Sequence, residues 1–275
     1  MKMNVATDEW VRVKLPHHVD RQDRLLLVKN HILPELGEME MEKITSETIH
    51  SYLERKASDG LSVVTVRMLG GIIKSVLRVQ GFRPKVTLPK NREEDSKVLT
   101  HDEQLRLEVF LNKNTDINKL EVLLCLHTGM RVNELGALKW EDIGEREIFV
   151  RNGIKRIAGK GLEIYVLGGK SQRRLPIPVF LKDKLEEFRP KNQQAYFLSC
   201  EAWMVEPRYV ERRLAEFGED CEIPGLTFRV LRNTFVHRAA EFNMDSRELL
   251  RRLGCVKLNK EFTEILREAQ GKVAI

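Results

Sequence analysis

An apolar segment broken by one glycine turn restricts the possible folds of this chain more than any other feature. Residues 123–142 have the sequence Leu-Leu-Cys-Leu-His-Thr-Gly-Met-Arg-Val-Asn-Glu-Leu-Gly-Ala-Leu-Lys-Trp-Glu-Asp. The leucine spacing predicts a buried helix that ends at Gly129 and a second helix that begins at Arg131. A helix start and a guanidinium both favour a phosphate. Arg131 is therefore a candidate anion ligand, unless it only makes a surface ion pair in a helix hairpin.

Composition limits the class of protein. The 275 residues suffice for two domains, 42% of them are hydrophobic, and the formal net charge of +6 favours a polyanionic partner. The four cysteines have no zinc-ligand spacing, and no apolar run resembles a signal peptide or a membrane span. We expect a cytoplasmic protein with no metal, no cofactor and no membrane contact.

The first domain is predicted to be helical and to cover residues 1–83. Helical patterns cover residues 24–33, 45–56 and 62–79, separated by Pro34, Gly37 and Gly60. In the third pattern Arg67, Lys74 and Arg78 lie off the apolar face. These cations either follow a phosphate backbone or form an ordinary solvated face.

A second domain is predicted over residues 98–275, after a charged, proline-containing linker at 84–97. It starts with a capping pattern, Thr100 followed by Glu103. Short β-type runs at 147–150, 162–167 and 174–178 predict a three-stranded sheet, and helical patterns resume at residues 179–188, 206–217, 227–242, 245–253 and 258–269. The predicted fold class is mainly α with a small antiparallel β-sheet (α+β).

Three motifs resemble the tyrosine recombinase (phage integrase) family. Residues 128–134 with 138–142 resemble its first active-site box, and Arg-Val-Leu-Arg-Asn-Thr-Phe at 229–235 resembles its second box, usually His-x-Leu-Arg-His-Thr-Phe. The segment Gly-Gly-Lys-Ser-Gln-Arg-Arg at 168–174 resembles its lysine-bearing hairpin turn. More loosely, the first domain resembles the helical core-binding (SAM-like) domain of many integrases.

The resemblance implies a set of roles. Members of the family cut DNA without a metal or cofactor: a tyrosine attacks the phosphate, two arginines hold it, and lysine and histidine residues move protons. Here the arginines would be Arg131 and Arg232, with Glu134 bracing the first. Lys170 would be the lysine, with Lys160 as its rival because the alignment of the long hairpin can slide.

Several positions depart from the family pattern. Arg229 and Asn233 replace the two histidines of the second box, and Cys255 stands where the family has histidine or tryptophan. The nucleophile position falls on Glu264, or on Phe262 if the preceding loop is two residues shorter. No tyrosine follows Tyr209 in the sequence. Other groups are poor substitutes, because Thr263 has no activating neighbour in sequence, a Glu264 carboxylate repels phosphate, and Tyr209 would need unusual geometry.

These departures favour a sequence-specific double-stranded DNA-binding protein with an integrase fold that does not cleave DNA, acting as a repressor or accessory factor of a mobile element such as a prophage. The alternatives are an active recombinase with an atypical site and, less consistent with three ordered motifs, an unrelated helical protein. The predicted DNA contacts are Arg131, Lys170, Arg173, Arg174, Arg229, Arg232, Lys155, Arg156, Arg67, Lys74 and Arg78.

Two C-terminal features leave alternatives open. Arg251 and Arg252 either contact DNA or complement the dipole of a helix capped by Asp245. The apolar face of the last helix either packs on its own domain or, as the resemblance implies, docks on a neighbouring protomer of a homo-oligomer on DNA.

Overall fold

The computed structural model describes residues 1–15, 21–89, 97–157 and 159–273. The chain divides into two compact units, Met1–Glu93 and Glu94–Ile275. Each unit has its own hydrophobic core. The described residues are mostly helical with small antiparallel sheets, so the predicted fold class is confirmed.

The first unit is a small helical bundle. Its helices are α1 Met3–Lys14, α2 Arg21–Leu27, α3 Leu33–Leu36, α4 Ser46–Ser58 and α5 Val63–Val79. Helix α1, which the sequence patterns did not predict, packs on α5, where Trp10 Nε1 donates a hydrogen bond to Ser75 Oγ at 2.8 Å. The predicted helix end at Leu33 is wrong. A π-helical turn, Val28–Ile32, continues into α3, because Pro34 lies in the first turn of α3, where its missing N–H costs nothing.

Part of the predicted linker packs on this unit. Leu88 lies where a Cβ on Gly70 would be, and Arg67 Nη1 donates to the carbonyl oxygen of Pro89 at 2.6 Å. Residues 90–96 of the predicted linker lie outside the described residues. The linker boundaries therefore stay a prediction.

The second unit is built around one buried helix. Its helices are α6 His101–Asn112, α7 Ile117–Thr128, α8 Val132–Ala137, α9 Val179–Phe188, α10 Pro207–Asp220, α11 Phe228–Glu241, α12 Ser246–Leu253 and α13 Lys260–Val273. The leucines of α7 are buried on all sides, and α6, α8, α9, α10 and α11 pack around it. The predicted capping box of Thr100 and Glu103 at the start of α6 is confirmed.

The predicted three-stranded sheet is wrong. Four strands, β1 Glu147–Val150, β2 Asn152–Ile157, β3 Gly161–Val166 and β4 Arg173–Pro176, form two antiparallel pairs. Strand β1 pairs with β4, and β2 pairs with β3 as a separate hairpin against α8. Strand β2 was missed because Lys155 and Arg156 interrupt its alternation of apolar and polar residues.

Two turns bring the motifs of the second unit together. Gly129 ends α7 with φ 66°, and a Cβ there would lie 2.6 Å from the ring of Phe235 on α11. Gly254 ends α12 with φ 62°, and its Cβ would lie 2.9 Å from Arg173 Nη1. Both positions require a left-handed backbone and leave no room for a side chain. Helix α13 packs on α11 and buries Phe262, Ile265 and Ala269.

Candidate functional site

Arg131 begins α8, as the sequence predicted, and a buried carboxylate holds it. Glu134 Oε2 accepts the backbone N–H of Arg131 at 2.9 Å, and Oε1 accepts from Arg131 Nη1 at 2.7 Å. The Arg131 side chain is 40% exposed, whereas that of Glu134 is 1% exposed. Burial lowers the pKa of Arg131, but Glu134 outweighs that effect and the net shift is upward. The guanidinium is therefore charged, fixed and accessible.

Arg173 is the second partner of Glu134. Its Nη1 and Nη2 donate to the two carboxylate oxygens at 2.9 and 2.7 Å, and its side chain is 1% exposed. Its guanidinium is buried in an ion pair, which counts against the predicted direct contact of Arg173 with DNA. Burial raises the pKa of Glu134, but Arg173 and Arg131 outweigh it and hold the pKa below its ordinary value.

Arg232 approaches the same site from α11. Its Nη1 donates to the carbonyl oxygen of Gly129, and its Nη2 donates to that of Leu253 at 2.8 Å. The residue is only 8% exposed. Burial, followed by the charge of Arg131, lowers its pKa to about 10, so it stays charged at neutral pH. Two carbonyls thus orient a buried cation beside Arg131.

Cys255 lies between these two arginines. Its Sγ is 3.5 Å from Arg131 Nη2 and 3.9 Å from Arg232 Nη2. The small side chain follows the Gly254 turn at the position where the family resemblance expects histidine or tryptophan. A phosphate reaching both guanidiniums would therefore contact the thiol.

A cationic cavity of about 610 Å³ opens beside Cys255. Its lining includes Lys170, Arg174, Arg247 and Arg251, with Glu147 as its one carboxylate. Lys170 is exposed in the turn Gly169–Ser171 before β4, whereas the rival Lys160 lies at the tip of the β2–β3 hairpin, 4.0 Å from Glu163. This placement favours Lys170 over Lys160 as the lysine of the site.

Of the two candidates for the nucleophile position, Phe262 packs on an arginine of the site, and its aromatic ring has no hydroxyl. Phe262 is 6% exposed, and its ring centroid lies 5.5 Å from Cζ of Arg232. Glu264 instead pairs with Lys260 at 3.4 Å, and Thr263 Oγ1 donates to the Asn259 carbonyl at 2.9 Å. Of the two alternatives from the sequence, the structure thus brings Phe262, and not Glu264, to the arginines.

Tyr165 is a tyrosine whose hydroxyl is influenced by the charges of this cluster. Burial and the negative charge of Glu134 raise the pKa of its hydroxyl, while Arg131 opposes the shift. Tyr52 lies in the first unit and donates to the His31 carbonyl, and Tyr209 is exposed beside Arg212. The sequence motifs gave no reason to select Tyr165, since it belongs to none of the active-site boxes. Its position near the cluster results from the pairing of β2 with β3.

Two other second-box positions, Arg229 and Asn233, bind a carboxylate of α13. Arg229 is 60% exposed and donates to both carboxylate oxygens of Glu261 at 2.9 and 3.0 Å. Asn233 Nδ2 donates to the same carboxylate at 2.9 Å. Arg229, one of the predicted DNA contacts, is thus bound to Glu261 in this structure. His237 is buried, 3.4 Å from Glu241.

The remaining cations differ in their surroundings. On the second unit Arg156 pairs with Glu206, Arg174 with Glu147, and Lys155 lies over the ring of Tyr165. Arg251 and Arg252 both bind Glu248 and lower its pKa to about 2, which favours local pairing at the end of α12.

In the first unit Arg67 is held by Pro89, whereas Lys74 and Arg78 line a cavity of about 440 Å³. Arg83 and Lys85 complete its cationic lining. The sequence analysis did not select these two residues, because they lie on either side of the predicted boundary between the first domain and the linker, although the Arg-Pro-Lys run was a usable signal.

Within the described residues, no three His, Cys, Asp or Glu side chains converge as a metal site requires. No helix there is long and apolar enough to span a bilayer.

The comparisons with known proteins agree with this arrangement. The phage integrase family model matches residues 97–260, and the model of its N-terminal SAM-like domain matches residues 21–57. The chain therefore belongs to the phage integrase family, and the resemblance seen in the motifs is confirmed.

Within the family, the chain is similar to tyrosine recombinase XerA of Pyrococcus furiosus, with 28% identity over 224 residues that cover 76% of this chain and 71% of XerA. XerA of Thermococcus onnurineus is 25% identical over 240 residues, covering 82% and 80% of the two chains.

Two solved structures share the fold. The Tn1549 transposon integrase in complex with a circular intermediate DNA has a TM-score of 0.80 at 17% identity, covering 100% of this chain and 99% of that one. A lambda integrase dimer bound to a core site has a TM-score of 0.66 at 16% identity, covering 97% and 95%.

Proposed function

We propose that this protein binds double-stranded DNA sequence-specifically through the second unit's arginine site and does not cleave it. The observation that carries the proposal is the packing of Phe262 on Arg232, because it pairs an intact phosphate-binding group with a ring that has no hydroxyl. A site that holds a phosphate without a nucleophile binds DNA but forms no covalent intermediate.

The charges of the site support phosphate binding. Arg131, Arg173 and Arg232 surround a single carboxylate, Glu134, so the cluster carries a net positive charge. The cationic cavity with Lys170 extends that field along the surface. Such contacts supply affinity and register, while sequence choice must come from side chains that reach base edges.

Support for a DNA partner also comes from the similar structures, which are integrases in complex with DNA, one of them a dimer. We extend both features to this chain as proposals. A homo-oligomer through α13 would require its apolar face to leave α11, where Phe262 and Ile265 are buried. Because the proposed site binds DNA without cleaving it, we propose that the protein acts as a cytoplasmic repressor or recombination accessory factor of a mobile element.

The proposal is tested by a mobility shift over a salt series combined with a nicked suicide substrate. The expected result is salt-dependent binding without a covalent adduct, because Arg and Lys contacts release counterions. Arg131→Ala should weaken binding about tenfold and lower the slope of log affinity against log salt by about one. Lys191→Ala is the control, because Lys191 is an exposed cation of the second unit that is not among the predicted DNA contacts. A covalent adduct of the wild-type protein would disprove the non-cleaving part.

A second candidate is an active recombinase with an atypical nucleophile. It is favoured by the similarity to XerA and by Tyr165, whose hydroxyl interacts electrostatically with Arg131 and Glu134. The upward pKa shift of Tyr165 counts against it, since a poorly ionised phenol is a weaker nucleophile. If an adduct forms, its loss in Tyr165→Phe would identify the nucleophile, and its persistence would direct the search to another residue.

A further inference from the structure

All hydrogen-bond acceptor positions of the Glu134 carboxylate are used. The role that the family resemblance implies for Glu134, bracing the first arginine, does not explain this. Oε1 accepts from Arg131 Nη1 and Arg173 Nη1, and Oε2 accepts from the Arg131 backbone and Arg173 Nη2, all between 2.7 and 2.9 Å. Two acceptor positions per oxygen exhaust the capacity of a carboxylate. Arg131 can therefore use only one terminal nitrogen on Glu134, and its Nη2 points instead to Cys255.

Without Arg173, Arg131 would no longer share its two terminal nitrogens between Glu134 and Cys255. Two acceptor positions on Glu134 would become free, and the nearest cation would be Arg131. A guanidinium binds a carboxylate best through two parallel hydrogen bonds. Arg131 would then turn both terminal nitrogens to Glu134 and lose the edge that now faces Cys255 and Arg232.

Arg173 also connects the segments that form the site. Its Nε donates to the carbonyl oxygen of Arg252 at 2.6 Å, at the end of α12, just before the Gly254 turn and Cys255. Its Nη1 donates to the carbonyl oxygen of Ser171 at 3.0 Å, which belongs to the Lys170 turn. One buried side chain thus contacts α8, the lysine turn and the turn that carries Cys255.

We infer that Arg173 is a positioning residue for the phosphate-binding pair. It saturates Glu134 so that Arg131 keeps one guanidinium edge for the DNA phosphate, and it fixes the turns of Lys170 and Cys255 beside that edge. The inference rests on the proposed DNA binding for its functional consequence, whereas the orientation of Arg131 can be measured without DNA.

The binding test is a double-mutant cycle of Arg131→Ala and Arg173→Gln, with thermal unfolding recorded for each variant. Arg173→Gln should weaken DNA binding about tenfold and lower the salt slope by about one, as Arg131→Ala does. In the Arg131→Ala background its effect should be clearly smaller than tenfold, since the Arg131 contact is already lost and only the effect on the Lys170 and Cys255 turns remains. Full additivity in the cycle would overturn the inference.

Two further variants separate positioning from general destabilisation. Arg173→Lys keeps the buried charge without the fork and should retain an intermediate affinity. Glu134→Gln combined with Arg173→Gln removes the charge that captures Arg131, so it should bind DNA more tightly than Arg173→Gln alone. If Arg173→Gln folds, the lack of tighter binding in the double variant would contradict the inference. If it does not fold, Arg173→Lys decides, and wild-type affinity in Arg173→Lys would contradict the inference.

The matched control is Arg174→Gln, one position along the same strand. Arg174 is exposed and paired with Glu147, so its effect should be equal in both backgrounds of the cycle.

Side-chain ¹⁵N NMR of the Arg131 guanidinium, assigned with Arg131→Lys, tests the orientation without DNA. A shift of the Arg131 resonance in Arg173→Gln but not in Arg174→Gln supports the positioning role of Arg173. Unchanged DNA binding in Arg131→Ala would refute the proposed function but would leave this positioning role standing. An unchanged resonance overturns the inference.

Discussion

The ring centroid of Phe262 lies 5.5 Å from the guanidinium carbon of Arg232, and both side chains are buried. Arg232 in turn donates to the carbonyls of Gly129 and Leu253, which fix it relative to Arg131 and Cys255. The second arginine of the site therefore stacks on an aromatic ring from α13. A tyrosine in place of Phe262 would add a single oxygen atom to this ring and would place a phenol beside a bound phosphate.

The first prediction is that Phe262→Tyr gains DNA cleavage. The phenol would stand beside Arg232, and Arg131 would stabilise the phosphate charge. Arg229, Asn233 and Cys255 stand at positions where the family resemblance implies residues that transfer protons. The reaction should therefore be slower by roughly 10²–10⁴-fold than one with general acid–base catalysis. A nicked suicide substrate and a denaturing gel measure the covalent adduct.

Phe262→Leu is the control, since it keeps an apolar side chain without the hydroxyl and should give no adduct. A folded Phe262→Tyr protein that binds DNA but traps no adduct would show that the ring position alone does not make a nucleophile.

The second prediction concerns alkylation of Cys255. Because its sulfur lies 3.5 Å from Arg131 Nη2, a carboxymethyl group from iodoacetate should place a carboxylate on the phosphate-binding guanidiniums. DNA affinity should fall about tenfold or more, since the added charge competes with a phosphate. Iodoacetamide adds a neutral group of nearly the same size and should weaken binding less.

The experiment uses a Cys200→Ser background, because Cys200 is the other partly exposed cysteine, whereas Cys125 and Cys221 are buried. Peptide mass spectrometry confirms the modified residue. Equal losses with the two reagents would indicate steric blocking and refute the electrostatic explanation.

Local sequence patterns were sufficient to predict the elements that carry the site. The Gly129 turn, the start of α8 at Arg131, the capping box of Thr100 and the helical position of Arg232 each depend on residues within one or two turns. They were predictable because capping and helical periodicity are local. The choice between Phe262 and Glu264 was not predictable, since it depends on how the turn after Gly254 spaces α12 and α13.

Long-range partners explain the errors. Arg173 looked like an exposed cation because it follows a glycine-rich, cationic turn, but its carboxylate partner lies 39 positions earlier in the chain. Arg229 looked like a neighbour of Arg232, yet Glu261 on α13 attracts it away. Helix α1 was missed because its burial depends on docking against α5. In each case the tertiary partner, and not the local pattern, determines the position of the side chain.

The third prediction is that Gly129→Ala strongly destabilises the second unit. The residue has φ 66°, and the new Cβ would lie 2.6 Å from the ring of Phe235. Left-handed strain of about 1–2 kcal/mol and overpacking of about 1–3 kcal/mol should together lower the free energy of unfolding. Gly225→Ala in the same unit, at φ 71° with nothing within 4 Å, should show the strain alone. Urea unfolding measures both, and equal losses would refute a role for the Phe235 contact.

The fourth prediction concerns Glu121, a buried carboxyl on α7. Burial, followed by the charge of Asp116, raises its pKa to about 9, while Arg213 opposes the shift. Among the described residues its Oε1 has no hydrogen-bond partner. Below about pH 4.5 the group is protonated in both folded and unfolded chains and has no effect on pH dependence. Between about 4.5 and 9 the unfolded chain ionises alone, so the group destabilises the fold increasingly as the pH rises.

Glu121→Gln removes this titration and keeps the shape of the side chain. The variant should therefore be more stable than the wild type at pH 8 by about 1–3 kcal/mol, with the difference shrinking towards pH 5. Urea unfolding at several pH values measures it. The matched control is Glu219→Gln at an exposed position of α10, which makes the same chemical change without removing a buried carboxyl. A stability difference for Glu121→Gln that stays constant from pH 5 to pH 8 would contradict the raised pKa.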